Sequence, residues 1–267
     1  MKPFYQPKII ASGLFAGLLG SLSPSAARAG GTIFETNLFV DTVGEYTTSG
    51  ATVNPALISG LSGPIGIAVS GSDLFVANQD IGTIGEYTTS GATVNAALIS
   101  GLDLPFGIAL SGADLFVANE DSGTIGEYTT AGATVNAALI SGLSGLLGIA
   151  VSGSDLFVAS AGTQTIGEYT TSGATVNPAL ISGLSLPVGV AVLGSDLFVT
   201  NEIPGTIGEY TTAGAPVNVP LISGLTTPVG IAISGVPEAS AWAMALTGFA
   251  ALAFAGFRRA RPRAASA

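Results

Sequence analysis

The sequence predicts an all-β protein, a five-bladed β-propeller of 41-residue, four-stranded repeats. Three observations predict it. Gly-Glu-Tyr-Thr-Thr starts at Gly44, Gly85, Gly126, Gly167 and Gly208, every interval being 41 residues. Each copy holds four short segments rich in Val, Ile, Thr, Phe or Tyr, bounded by Ser, Gly, Asn or Asp, with no helical period. The two ends of the array are complementary, since it opens on the second segment of a copy and closes on a spare first one. Four strands in about 40–45 residues is the size of a propeller blade.

The strands follow in order. In the second copy they are A (Gly66–Ser70), B (Asp73–Ala77), C (Thr83–Thr88) and D (Ala92–Ile99). Leu-Phe-Val starts at Leu38, Leu74, Leu115, Leu156 and Leu197, so the first interval is 36 and the rest are 41. On that alignment the first copy lacks five residues between Val40 and Gly44 and begins on strand B near Asn37. The array ends on an extra strand A, Gly230–Ser234, which is expected to complete blade one. An open solenoid would instead need atypical capping repeats. Along strand B, Leu74 and Val76 face one side and Phe75 the other, which suits a sheet sandwiched between two neighbours. Gly66 and Gly107 are expected where strand A crowds the axis.

Charge is segregated along the chain. Of 267 residues, 7 are Lys or Arg and 17 Asp or Glu, a net charge of −10. Every basic residue lies in the first 28 or last 10 positions, and 16 of the 17 acids lie between Gly30 and Gly235. The body therefore offers no Lys or Arg to neutralise phosphates, which excludes nucleic acid as a partner. It also has no His and no Cys, so disulfides and thiolate or imidazole chemistry are excluded.

The ends read as addresses. Lys2 and Lys8 precede an apolar run, Ile9–Leu22, and then Ala27-Arg28-Ala29, the plan of a signal peptide over 1–29 with Gly30 as first mature residue. The propeller then occupies 30–235, and 236–267 forms a C-terminal signal. There Val236-Pro237-Glu238 precedes the uncharged Ala239–Phe257, 19 residues or about one hydrocarbon core as a helix. Arg258, Arg259, Arg261 and Arg263 follow as a stop-transfer cluster. This order resembles the PEP-CTERM sorting signal of exosortase substrates, in which a Pro-Glu-Pro motif precedes a transmembrane helix and an Arg-rich end. Pro237-Glu238 match, and Ala239 stands where the second Pro is usual. The resemblance implies export and transient anchoring in the inner membrane of a Gram-negative bacterium. An exosortase-type protease would then cut near Pro237-Glu238, placing the protein at the cell surface or outside.

The repeat itself resembles NHL-type propeller repeats, and more closely the virginiamycin B lyase-like group. Pro64-Ile65-Gly66-Ile67-Ala68-Val69, Asp73-Leu74-Phe75-Val76-Ala77 and Ile84-Gly85-Glu86-Tyr87 carry the likeness. The lyases of that group rely on His and a metal, and this chain has no His. No catalytic residue and no metal ligand is therefore assigned.

Repeated residues read as structural. Glu45, Glu86, Glu127, Glu168 and Glu209 could suggest calcium, but strand C lies two strand spacings, about 10 Å, outside strand A. Carboxylates diverging at that radius cannot share one ion at about 2.4 Å, so no cofactor is expected. Asp73, Asp114, Asp155 and Asp196 follow turns, where Asp usually bonds backbone amides. Tyr46, Tyr87, Tyr128, Tyr169 and Tyr210 are expected to pack the blades, with sugar stacking as the alternative. The copies differ mainly in the B–C and D–A loops, which leave an up-and-down blade on the same face. The candidate ligand-binding residues are Asn78, Asp80, Asn119, Glu120, Asp121, Asn201 and Glu202. The expected protein is a non-enzymatic binding or structural module, met by export machinery and then by polysaccharide or a surface protein. The alternative is a secreted lyase or lactonase-like propeller. That would need metal-binding side chains at the axis, where strand A supplies Gly, Ile, Ala and Val.

Overall fold

The computed structural model describes residues 32–226 and 228–231. The expected signal peptide, sorting motif, transmembrane segment and arginine cluster lie outside these residues. Among the described residues no helix is long and apolar enough to cross a membrane.

The chain forms five antiparallel sheets, one per repeat, the blades of a β-propeller. Blade one is β1 (Thr32–Asn37), β2 (Thr42–Thr47) and β3 (Thr52–Ser59). Blade two is β4 (Pro64–Ser70), β5 (Asp73–Asn78), β6 (Thr83–Thr88) and β7 (Thr93–Ser100). Blade three is β8 (Pro105–Ser111), β9 (Asp114–Asn119), β10 (Thr124–Thr129) and β11 (Thr134–Ile140). Blade four is β12 (Leu146–Ser152), β13 (Asp155–Ser160), β14 (Thr165–Thr170) and β15 (Thr175–Ile181). Blade five is β16 (Pro187–Leu193), β17 (Asp196–Asn201), β18 (Thr206–Thr211) and β19 (Pro216–Ile222).

Blade one corrects the sequence alignment. Its strand B is Thr32–Asn37, which pairs with β2 from Thr32↔Thr47 to Asn37↔Thr42. Blade two pairs identically from Asp73↔Thr88 to Asn78↔Thr83, 41 residues later. No five residues are therefore missing between strands B and C of the first copy. Leu38-Phe39-Val40 is a chance echo of the strand-B triplet and lies in the turn after β1, with Phe39 and Val40 each 64% exposed.

Blades two, three and four are apolar on both faces because each is sandwiched between two neighbours. Leu74, Val76 and Tyr87 pack with Val43 and Ile58 of blade one. Phe75, Ala77 and Ile84, from the same blade, pack with Leu115, Val117 and Tyr128 of blade three. The same exchange joins blades three and four, and four and five. The strand-A glycines permit it. A Cβ on Gly66 would lie 2.0 Å from the Phe106 carbonyl oxygen, and one on Gly107 would lie 2.5 Å from that of Leu147. Within strand C, Gly85 serves Tyr87, whose ring lies where a Gly85 Cβ would sit, at 2.6 Å. The Gly-Glu-Tyr motif is therefore a packing unit, and Tyr87, Tyr128, Tyr169 and Tyr210 are buried as expected.

The outer strand is held less regularly. Register shifts on either side of Glu86 and its copies bend strand D, and its first five positions are exposed in every blade. The turn before it is fixed by Thr88, whose hydroxyl accepts from the Ala92 N–H at 3.0 Å, and by Gly91 at φ +89°.

The two ends of the array differ from the middle. Ile33 is 47% exposed, whereas its equivalents Leu74, Leu115, Leu156 and Leu197 are fully buried. Exposed Glu35 replaces the buried Val76 on the same side. At the other end, Gly189 of β16 faces the Val229 carbonyl and Ile231, as Gly148 faces Val188 and Val190. Pro228–Ile231 thus occupies the place of a next strand A, but it pairs in no ladder, and blade one shows three strands. The rest of the expected closing strand, residues 232–234, lies outside the described residues.

Candidate functional site

The variable loops do share one face, and the backbone shows how. The first residue of each B–C loop donates to the preceding D–A loop: Gln79 to Gly63 at 3.0 Å, Glu120 to Leu104 at 3.0 Å, Ala161 to Gly145 at 2.8 Å and Glu202 to Leu186 at 3.0 Å. The acceptors recur every 41 residues and all have positive φ, at +60°, +50°, +60° and +51°. Glycine accepts that conformation freely, whereas Leu104 and Leu186 adopt it at a cost of about 1–2 kcal/mol each. In blade one Asp41 joins the following D–A loop, its carbonyl accepting from the Leu61 N–H at 3.2 Å and its Oδ1 from the Gly63 N–H at 3.0 Å.

The candidate residues divide by exposure. Asp80 and Asp121 are exposed at the loop tips, and Glu120 and Glu202 are half-buried. Burial, and then Asp121 beside it, pushes the Glu120 carboxyl above its ordinary value. Asn78, Asn119 and Asn201 are buried at the loop roots. Asn78 and Asn119 donate through Nδ2 to Thr83 and Thr124 at 3.5 and 3.4 Å, closing the first turn of the loop. The Oδ1 atoms of Asn78, Asn119 and Asn201 are buried without a hydrogen-bond partner.

The face also holds a cleft the sequence reading missed. About 260 Å³ of space lies in blade five, bounded by Gly183–Ser185, Asn201, Pro204, Thr206, Tyr210, Val219 and Pro220. Its sequence signal was the break in the repeat, since Pro220 stands where the other copies have Ala56, Ala97, Ala138 and Ala179.

At the opposite end of the blades the repeated acids pair up. Burial, and then the neighbouring Asp73, Asp114 or Asp155, raises the carboxyl pKa of Glu86, Glu127 and Glu168. Ser72 and Ser154 donate to Asp73 and Asp155 at 3.3 and 3.4 Å, so side-chain hydroxyls take the place expected of backbone amides. One pair, Asp155 and Glu168, lines a cleft of about 410 Å³. Among the described residues no three acidic side chains gather as a metal centre would require.

Comparison with known proteins places the fold. No family model and no curated protein matches the chain. Solved structures do. Virginiamycin B lyase from Staphylococcus aureus, as a catalytically inactive histidine-to-alanine variant with quinupristin, aligns at 23% identity and TM-score 0.59 over 78% of this chain and 72% of that one. A streptogramin B lyase aligns at 20% identity and TM-score 0.61, over 76% and 69%. A chain of the nidogen/laminin complex aligns at 19% identity and TM-score 0.65, over 74% and 79%. The shared property is the fold. At these identities a propeller scaffold serves enzymes and binding proteins alike.

Proposed function

We propose that this chain is an exported β-propeller that acts at the cell surface or in the extracellular matrix as a non-enzymatic binding or structural module. The observation that carries the reading is the contrast between nearly identical blades and variable loops gathered on one face. A rigid scaffold presenting divergent loops is the usual arrangement of a binding surface. The chain ends support export: a signal peptide over 1–29, and Val236, Pro237 and Glu238 ahead of an apolar span and Arg-rich tail resembling an exosortase substrate. A body with 16 acids and no base favours neutral partners, or anionic ones bridged by cations. The partner proposed is polysaccharide or another surface protein.

An enzymatic reading patterned on the lyases lacks its key residue. The inactive lyase variant is defined by loss of one histidine, and this chain contains no histidine.

The test is binding to the exopolysaccharide of the producing cells, with alanine at Asp80, Glu120, Asp121 and Glu202. Saturable binding that weakens at least several-fold in these variants, with melting unchanged, supports the reading. Equal binding by all variants would remove the variable face from it.

A further inference from the structure

We propose that the cleft in blade five is a subsite for one uncharged pyranose ring of a neutral glycan. The inference deepens the binding-module reading and rests on it.

The lining is the first argument. None of the nine residues around the cleft carries a charge, although the body is densely acidic. With no carboxylate the cleft offers nothing to a cation, and with no base it offers nothing to an anionic sugar. Its apolar walls are Leu184, Pro204, Val219 and Pro220. Its polar groups are the side chains of Asn201, Ser185, Thr206 and Tyr210. A pyranose presents C–H faces and a rim of hydroxyls that can donate and accept, which matches such walls. A wholly apolar ligand would leave the amide desolvated at a cost of about 1–3 kcal/mol.

Asn201 is the second argument. It is 6% exposed and lines the cleft, and its Oδ1 has no partner, as is also true of Asn78 and Asn119, so the Nδ2 end sets it apart. Its equivalents Asn78 and Asn119 donate their amides to the threonine that follows the loop, but no such bond joins Asn201 to Thr206. A buried amide without that bond, at the edge of an open cleft, is a group awaiting a polar partner.

The third argument is broken symmetry. Pro204 stands where the other copies have Val40, Ile81, Ser122 and Thr163, and Pro220 where they have alanine. Both substitutions fall on the walls of this cleft. Its volume lies below the roughly 300 Å³ at which sites for drug-sized ligands begin, which suits a single ring.

The test titrates the purified full chain with methyl β-D-glucopyranoside, methyl α-D-mannopyranoside and methyl β-D-galactopyranoside, followed by saturation-transfer NMR. Two variants, each checked for a melting temperature equal to wild type, probe the cleft. Ser185→Tyr fills the cleft from an exposed position, and Pro220→Ala restores the residue the other blades carry. Saturable millimolar binding of at least one glycoside, weakened tenfold or more by Ser185→Tyr and by Pro220→Ala, is the expected result. No saturable binding of any of the three overturns the subsite. Binding that survives Ser185→Tyr also overturns it, by placing the sugar elsewhere. If the exopolysaccharide still binds the wild-type chain in either case, the module reading stands without this subsite. If it does not, both fail.

Discussion

Replacing Gly66 with alanine tests how neighbouring blades approach one another. The φ of Gly66 is outside the left-handed region, so alanine meets no backbone penalty there. The added Cβ would lie 2.0 Å from the Phe106 carbonyl oxygen and 3.4 Å from Ile108. Phe106 belongs to β8 of the next blade, and its oxygen cannot swing aside as a side chain can. Relief requires the two blades to separate locally, and overpacking of this kind costs about 1–3 kcal/mol, occasionally more. For a domain of this size that is a fall in melting temperature of roughly 2–12 °C. Gly71→Ala is the control. Its φ is +60° with nothing within 4 Å, so its cost of about 1–2 kcal/mol is conformational alone. Both variants are read by calorimetry. A Gly66→Ala protein that melts within about 1 °C of wild type would refute the close approach of the blades.

Further outcomes follow from the loops and the acids. Leu104→Gly should raise the melting temperature by a few degrees, because it removes a left-handed leucine that is already 40% exposed; unchanged or lower melting would refute strain at that loop. Glu86, Glu127 and Glu168 have carboxyl pKa values raised in the folded state, so the folded state binds protons more readily than the unfolded one. Their contribution is full below the unfolded pKa and is lost as pH rises through the folded pKa. Melting should therefore be higher near pH 4 than at pH 7, and replacing all three with Gln should reduce the difference. Thr200 donates from Oγ1 to the Val229 carbonyl at 3.2 Å and accepts from the Gly189 N–H at 2.7 Å. Thr200→Val strands both groups, so melting should fall by several degrees and protease should cut sooner beyond β19; protection equal to wild type would show that the contact does not hold the segment.

Periodicity carried most of the fold because the copies are nearly identical and strand side chains alternate. The placement of β5, β6 and β7 followed directly, each within a residue of its expected bounds. Blade one resisted because identity matching chose Leu38-Phe39-Val40 over Thr32–Asn37, where only Phe34 and Asn37 keep the residues of blade two. Asn37 stands 41 before Asn78, and Asp41 stands 41 before Gly82; both residues 41 and 82 have positive φ. That spacing was the readable clue. The shared loop face was also legible from blade topology. The burial of Asn78, Asn119 and Asn201 was not, because an Asn in a loop and an Asn at its root look alike in sequence. The blade-five cleft left a mark in the sequence, Pro220 in place of alanine, but its shape depends on how Gly183–Ser185 and Pro220 meet across separate elements.

The central proposal is an acidic propeller whose two ends would serve export and sorting. Intact-mass spectrometry of the protein recovered from cells and from medium tests it most directly. The account predicts a species beginning near Gly30 and ending near Pro237, without a single lysine or arginine. A recovered protein that keeps Arg258, Arg259, Arg261 and Arg263 would contradict it.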